Sequence, residues 1–319
     1  VRIAETTIEA GSWGRIDVPV ARLPTGTWLD LPIAVAHGRR PGARLWLSAG
    51  IHGDELNGIE VIRRVLLQIS PEELAGTVVA VPIVNVFGLL QQTRYLPDRR
   101  DLNRAFPGSP KGSLAARLAH YFMRNVVEGA DLGIDLHTGS QGRVNLPQIR
   151  ADLSDERTLR LARAFRAPAL IHARTRDGSL REAAAGAGVP VLLFEGGEAL
   201  RFDTVVIERG MEGVLRVMRA LRMGRFGRRR KVAPAFESQR GSWTRAGRGG
   251  ICRLEIRLGD HVSLRQRVAV IGDAFGDEAR SVRAQRAGLV IGLNTNPLVN
   301  RGDAIVHVAE RAPTEAPAS

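Results

Sequence analysis

The chain has 319 residues, of which 44% are apolar, and a formal net charge of +13 at pH 7. This length can bury one large core and a smaller second unit. No run of 18 apolar residues occurs, so no membrane span is predicted. The single cysteine, Cys252, excludes a disulfide framework and cysteine-rich zinc modules, so any metal site must use His, Asp or Glu.

The positive charge is almost entirely arginine, since lysine occurs only at Lys111 and Lys231. Much of the excess lies in LRMGRFGRRRK, residues 221–231, which we interpret as a solvated linker with no nucleic-acid partner. The alternative to an enzyme is a protein of the same fold that has no catalytic activity and binds a nucleic acid or another partner. The first ten residues lack the apolar stretch of a secretory signal, so a cytoplasmic location is expected.

Short strands and turns are predicted for residues 1–40. Apolar strands then alternate with segments of helical periodicity, and a long polar loop runs through Asn103. The predicted strands are 44–50, 76–85, 130–139, 168–173 and 189–197, and the predicted helices are 54–69, 112–127 (opened by Ser113), 154–165, 178–188 and 204–222. This alternation predicts an α/β fold in which a mostly parallel mixed sheet is flanked by helices.

The residues after 240 show no helical pattern, and short β-rich pieces carry regularly placed glycines. Segments 257–273 and 296–310 share a pattern of turn and apolar strand, which resembles a biotinyl/lipoyl-type half-barrel. The absence of lysine from this region excludes a cofactor-carrying role. The predicted division is listed here: an α/β domain at 1–225 with a β-rich segment at 1–40, a basic linker at 226–240, a β-barrel-like domain at 241–310 and a disordered tail at 311–319.

Histidine and carboxylate residues follow predicted strands at two places. His52 and Glu55 lie three residues apart after the strand at 44–50, and His137 ends the strand at 130–139. Because the carboxyl ends of parallel strands meet at one edge of a sheet, these three side chains are expected to converge. Two imidazoles and one carboxylate form the ligand set of a catalytic zinc ion, so one Zn²⁺ per chain is predicted.

A third strand end supplies a second carboxylate, Glu195, which is followed by two glycines. Its position suits a general base that takes a proton from water and returns it to the leaving amine. In the polar loop, Asn103 and Arg104 are suited to binding a substrate carboxylate. Several arginines there are candidates for stabilising the oxyanion, and the choice between Arg94, Arg99 and Arg100 stays open.

Four motifs in order, GIHGDE, DLNRAFPG, DLHTGS and the strand ending in Glu195, resemble the succinylglutamate desuccinylase/aspartoacylase family. The resemblance is to its bacterial predicted-deacylase branch, and it implies a zinc carboxypeptidase-like fold. It also implies that His52, Glu55 and His137 bind zinc and that Glu195 is the catalytic carboxylate. Further implied roles are substrate binding by Asn103 and Arg104, and polarisation of the scissile carbonyl by Arg94.

The sequence thus predicts a zinc-dependent amidohydrolase that removes the acyl group from an N-acyl amino acid or a related small carboxylate. The predicted mechanism uses a metal-activated water with Glu195 as general base. A metallocarboxypeptidase acting on peptides stays the alternative of the same chemistry. The sequence does not determine the acyl group or the amine of the substrate. It also leaves the oligomeric state open, and a homo-oligomer is one of the alternatives.

Overall fold

The computed structural model describes residues 1–22, 25–226, 233–277 and 279–312. Two sequence predictions fall partly outside this range, because residues 227–232 belong to the predicted basic linker and 313–319 to the predicted disordered tail. The basic segment 222–231, which the nucleic-acid-binding alternative would use, is likewise only partly described. Within the described residues, none of the helices is both long and apolar enough to cross a membrane.

The first ten strands comprise a small two-stranded sheet, formed by the first two, and most of a large mixed sheet. They are β1 (Arg2–Ile3), β2 (Thr6–Thr7), β3 (Ser12–Arg22), β4 (Trp28–His37), β5 (Arg40–Ala49), β6 (Ala75–Val81), β7 (Leu132–Gly139), β8 (Arg143–Ala151), β9 (Ala169–His172) and β10 (Val191–Glu198). The order in the large sheet is β3-β4-β6-β5-β7-β10-β8. Its centre, β6-β5-β7-β10, is parallel, whereas β4 and β8 run antiparallel to their central neighbours.

Six α-helices pack on this sheet. They are α1 (Asn57–Leu66), α2 (Val86–Leu90), α3 (Leu114–Phe122), α4 (Glu156–Phe165), α5 (Leu180–Gly186) and α6 (Thr204–Ala220). A 3₁₀ turn at Leu102–Arg104 and a π-helical turn at Met123–Val127 complete the helical elements described. The Ser113 hydroxyl accepts a hydrogen bond from the Ala116 N–H at 3.2 Å, which confirms Ser113 as the cap that opens α3.

Two apolar layers form the core, one on each face of the sheet. Alternation along β5 shows the arrangement, because Leu45 and Leu47 pack in one layer while Trp46 packs in the other. The first layer includes apolar residues of α1, α4 and α6, and the second includes those of α3. Both faces are therefore buried, as the sequence predicted for the central parallel strands.

The C-terminal segment adds nine further strands. They are β11 (Phe236–Ser238), β12 (Arg240–Arg245), β13 (Gly250–Leu254), β14 (His261–Val262), β15 (Arg267–Gly272), β16 (Arg280–Arg283), β17 (Gly288–Asn294), β18 (Leu298–Val299) and β19 (Ala304–Glu310). β17, β19 and β12 extend the large sheet beyond β8, and β16-β15-β13-β18 form a second sheet. The half-barrel resemblance and the domain boundaries stay predictions.

The sequence analysis assigned no element to residues 143–151, which form the antiparallel strand β8. The apolar alternation that marks a strand is broken there, because Asn145, Pro147 and Gln148 are buried. Since β8 runs antiparallel to β10, it ends the parallel run of the central strands. The carboxyl ends of β5, β7 and β10 still meet at one edge, as predicted.

Candidate metal centre and active site

The loop between β5 and α1 carries His52 and Glu55. Its path depends on two glycines with different roles. Gly50 has a φ of +62°, which favours glycine, whereas Gly53 is needed for close packing, since a Cβ there would lie 1.8 Å from the carbonyl carbon of Gly88. Because α1 begins only at Asn57, both polar side chains belong to the loop and not to the helix.

Glu55 lies between two imidazole rings, and all three side chains are buried. One carboxylate oxygen is 2.8 Å from Nδ1 of His52, and the other is 2.8 Å from Nδ1 of His137. Potential ligand atoms of the three residues lie within 4.8 Å of one another. The structure therefore brings together the three side chains that the sequence singled out as metal ligands.

A further carboxylate holds the outer nitrogen of each ring. Nε2 of His137 lies 2.8 Å from Oδ2 of Asp135, and Nε2 of His52 lies 3.2 Å from Oδ1 of Asp101. The Ser48 hydroxyl donates to the other oxygen of Asp135 at 2.6 Å. Such outer carboxylates fix the orientation of an imidazole ligand and leave the inner nitrogen free to bind.

The electrostatics of this cluster follow from its composition. Burial disfavours the charged imidazolium of His52, but the Glu55 carboxylate and the hydrogen bonds to Asp101 and Glu55 outweigh it and raise the pKa. Burial also disfavours the charged imidazolium of His137. The carboxylates of Asp135 and Glu55 outweigh this effect and raise the pKa of His137 well above its usual value, with Asp135 making the larger contribution. Burial alone would raise the pKa of Glu55, but the two imidazoles lower it strongly.

Glu195 stands beside this cluster on the neighbouring strand. β10 and β7 are parallel, and Glu195 is in register with His137. The Asn145 amide donates a hydrogen bond to one oxygen of Glu195, and Nε of Arg150 lies 3.8 Å from the other. Glu198, the next carboxylate along β10, instead accepts a hydrogen bond from Thr295 at 3.1 Å.

The polar loop before α3 places Arg94 next to the three clustered residues. Its Nη1 atom lies 3.2 Å from Nδ1 of His52 and 3.8 Å from Glu55, and its other nitrogens bind Asp101 at 2.8 and 3.1 Å. Arg99 and Arg100 are exposed and are not among the described residues that line the cavity. Of the three arginines that the sequence offered for stabilising the oxyanion, Arg94 is the one that contacts the cluster and lines the cavity.

Asn103 and Arg104 belong to the 3₁₀ turn in the same loop. The side-chain oxygen of Asn103 accepts a hydrogen bond from the Leu180 N–H at 2.9 Å, which ties the turn to the start of α5. Arg104 donates to the backbone carbonyl of Asn103. Both side chains line the cavity that contains the His and Glu cluster.

This cavity has a volume of about 440 Å³. Its wall includes Glu195 and the clustered side chains, and also Arg150, Arg181 and Trp243, which the sequence analysis did not assign to the site. Trp243 stacks on His307, with ring centroids 4.8 Å apart, and it brings the C-terminal segment into the cavity wall.

Two other titratable side chains near strand ends lie outside this cavity. Glu198 is absent from the described residues that line it, and His172 lines a neighbouring cavity instead. Asp101 and Asn145, in contrast, contact the predicted site residues directly. Asp101 is the first residue of the DLNR motif, and this position is what in the sequence could have indicated a role in the site. Asn145 lies on the strand that the sequence did not reveal, so no local pattern pointed to it.

Two imidazoles and a carboxylate at a strand edge, with a second carboxylate in the same cavity, are typical of metal-assisted hydrolases. A family model described as the succinylglutamate desuccinylase/aspartoacylase catalytic domain matches residues 41–221. The chain belongs to this family, which confirms the resemblance seen in the sequence. Membership places it among the hydrolases that act on amide bonds.

Individual relatives agree with this assignment. An N-α-acetyl-L-2,4-diaminobutyric acid deacetylase from Halomonas elongata is 28% identical over 316 residues, covering 95% of this chain and 88% of that protein. A succinylglutamate desuccinylase/aspartoacylase structure from Rhodobacter sphaeroides has a TM-score of 0.86 at 26% identity, covering 98% of this chain and all of that one (100%). The product-bound ectoine utilization protein EutE (DoeB) from Ruegeria pomeroyi has a TM-score of 0.84 at 22% identity, covering 95% and 97%, and this likeness concerns the fold.

Proposed function

We propose that the protein is a zinc-dependent deacylase that hydrolyses the acyl-amide bond of an N-acyl amino acid or a related small carboxylate. The observation that carries the proposal is the buried carboxylate of Glu55 with an imidazole Nδ1 atom 2.8 Å from each of its oxygens. The name of the Halomonas relative, a deacetylase of an N-acetylated amino acid, supports the same reaction.

The residues present fit a zinc ion. Zinc prefers imidazole nitrogen and carboxylate oxygen, and catalytic sites use three such protein ligands and leave a position open. His52, Glu55 and His137 supply this set, and Asp101 and Asp135 orient the two rings from behind. When bound, the ion would polarise a carbonyl oxygen and make a water molecule more acidic.

Glu195 is the proposed general base. Its carboxylate would accept a proton from the attacking water and deliver it to the amine as the carbon–nitrogen bond breaks. The amide of Asn145 holds one carboxylate oxygen in place. Because Glu195 is 21% exposed and lines the cavity, it can reach a bound substrate.

Three polar side chains would bind and orient the substrate. We assign Asn103 and Arg104 to the carboxylate of the substrate, since a guanidinium and an amide N–H₂ group together match its two oxygens. We assign Arg94 to the scissile carbonyl, because Nη1 lies within 4 Å of both His52 and Glu55. A cation at that position would stabilise the negative charge that develops on the carbonyl oxygen.

The Glu195→Gln variant tests the proposal, with Glu198→Gln as a matched control on the same strand. The screen would use acetyl-, succinyl- and formyl-amino acids, with dipeptides as the comparison for a carboxypeptidase. We expect Glu195→Gln to retain zinc, measured by elemental analysis, and to lose at least a hundredfold in kcat, whereas Glu198→Gln keeps most activity. Undiminished turnover in Glu195→Gln, or a wild-type protein that holds no metal, would contradict the proposal.

A further inference from the structure

Asn57, the first residue of α1, joins the loop between β5 and α1 to the strand that carries Glu195. It is 1% exposed and is not among the described residues that line the cavity. Its side-chain oxygen accepts a hydrogen bond from the Asp203 N–H at 2.9 Å, and its amide nitrogen donates to the carbonyl oxygen of Gly196 at 3.4 Å. Both ends of one buried amide therefore bind the backbone of the segment that follows Glu195.

The backbone that Asn57 contacts is irregular directly after Glu195. β10 advances by three residues there, from Glu195 to Glu198, while its parallel partner β7 advances by two. The pairing of β10 with β8 shifts at the same place. A bulge of this kind changes the direction of the side chain next to it. The direction of the Glu195 carboxylate therefore depends on how the bulge is held.

A glycine in the bulge allows the close approach of Asn57. Gly197 has a φ of +75°, which favours glycine, and a Cβ there would lie 2.6 Å from the amide nitrogen of Asn57. Gly197 is also paired across the sheet with Asn145, whose amide donates a hydrogen bond to Glu195. The bulge thus lies between Asn57 and the side chain that holds the carboxylate of Glu195.

The position of Asn57 is itself fixed by the start of α1. The next residue, Gly58, lies so close to the sheet that a Cβ there would be 2.7 and 2.8 Å from side-chain atoms of β7 and β5. Glu55 precedes Asn57 by two residues in the same segment. The carbonyl of Asp54 adds a second link to the segment after Glu195, because it accepts a hydrogen bond from the Leu200 N–H at 2.8 Å.

We infer that Asn57 is a positioning residue, which sets the carboxylate of Glu195 relative to the proposed metal ligand Glu55. This inference rests on the proposed function and adds to it a residue that acts from outside the cavity. Loss of the amide would release the bulge and leave the three proposed ligands in place. A displacement of about 1 Å in a reacting group can lower the rate about a hundredfold.

The variant Asn57→Ala tests this role in the zinc-loaded protein. We expect kcat for the best N-acyl substrate to fall about 10- to 100-fold, while KM changes less than about threefold and the zinc content, by elemental analysis, stays the same. Asn125→Ala is the matched control. The amide of Asn125 likewise accepts from one backbone N–H, of Ala4 at 3.1 Å, and donates to one carbonyl, of Tyr121 at 2.8 Å, but outside the cavity. An unchanged kcat in Asn57→Ala, a loss confined to KM or an equal loss in the control would overturn the inference.

A double-mutant cycle separates positioning from general destabilisation. Because Asn57 is inferred to act through Glu195, the double variant Asn57→Ala/Glu195→Gln should have a kcat within about threefold of that of Glu195→Gln alone. Independent losses that multiply would refute the inference. If circular dichroism shows that Asn57→Ala does not fold, Asn57→Ser, which is neutral and keeps a polar group beside the Asp203 N–H, replaces it in each comparison.

Failure of this inference is distinct from failure of the proposed function. If the wild-type protein hydrolyses no N-acyl amino acid, the deacylase proposal fails, and crystal structures of the metal-free wild type and Asn57→Ala decide the inference alone. We expect the carboxylate of Glu195 to lie about 1 Å or more from its wild-type position relative to Glu55. An unchanged position of Glu195 in the variant would show that Asn57 does not set it.

Discussion

Asp101 contacts His52 through one carboxylate oxygen, at 3.2 Å from Nε2. Its other oxygen binds Nε and Nη2 of Arg94 at 3.1 and 2.8 Å. The same carboxylate thus fixes a proposed metal ligand and the arginine proposed to act on the carbonyl. The pKa of Asp101 is lowered because its contacts with His52 and Arg94 outweigh the effect of burial, so the group stays ionised.

Replacement of this residue should weaken metal binding. We expect Asp101→Asn to reduce zinc affinity by about 10- to 100-fold, the usual effect of removing a carboxylate behind an imidazole ligand. Titration against a competing chelator measures the change. Asp98→Asn, an exposed position in the same loop, is the control, and equal affinity in the two variants would contradict the role of Asp101.

The metal-free protein should lose stability as the pH rises. The folded-state pKa values of His52 and His137 are raised from 6.5, so their contribution is complete below about pH 6.5 and disappears as the pH rises through the raised values. Glu55 has a lowered pKa, so its contribution is present above its ordinary value of 4.5 and is lost only as the pH falls below it.

We therefore expect the Tm of chelator-treated protein to be higher at about pH 6 than at about pH 9, by circular dichroism. Each raised group changes the free energy of unfolding by about 1.4 kcal/mol per pH unit within that window. Glu55→Gln should flatten this dependence. Zinc-loaded protein should not show it, since imidazole binds a metal only when neutral. The same slope in Glu55→Gln would argue against the assignment.

Gly53 should tolerate no side chain. A Cβ there would lie within 2.2 Å of three backbone atoms of Gly88 and Leu89, none of which can move independently. We expect Gly53→Ala to destabilise the protein by more than about 3 kcal/mol in urea unfolding, beyond ordinary overpacking. Gly186→Ala is the control, because nothing lies within 4 Å of its Cβ, and it should be neutral or stabilise by up to about 1 kcal/mol. Similar effects at both positions would be inconsistent with this packing.

Asn145 should affect turnover because its amide holds the carboxylate of Glu195 in position. A hydrogen bond to a charged group contributes about 1.5–3 kcal/mol, so Asn145→Ala is expected to lower kcat about 10- to 100-fold with little change in KM. Steady-state kinetics on the best N-acyl substrate provide the measurement. Asn300→Ala, at an exposed position, should have no effect. A change confined to KM would assign Asn145 to substrate binding instead of positioning.

The sequence predicted the parts of the site that follow strands along the chain. His52, Glu55, His137 and Glu195 could be predicted to lie together because parallel strands bring their carboxyl ends together whatever their separation in sequence. The structure places these four side chains in one cavity. Proposing Arg94 over Arg99 and Arg100 required coordinates, because the conformation of the loop and not its composition decides which arginine lines the cavity.

Other residues could not be found because they depend on pairing between distant segments. Asn145 and Arg150 lie on β8, whose polar, proline-containing sequence hides its strand character. Trp243 reaches the cavity from the C-terminal segment, about fifty residues after Glu195 in the chain. No local pattern distinguishes Arg181 from the other arginines of the chain, and its burial is visible only in the structure.

β8 joins the central strands of the large sheet to the C-terminal segment. One edge pairs with β10, which carries Glu195, and the other pairs first with β17, at Arg143–Asn145, and then with β9. Removal of the C-terminal segment would therefore expose unpaired N–H and C=O groups beside Asn145, a template for aggregation. The chain is consequently a poor candidate for truncation to a minimal enzyme, and both regions should unfold in a single cooperative transition.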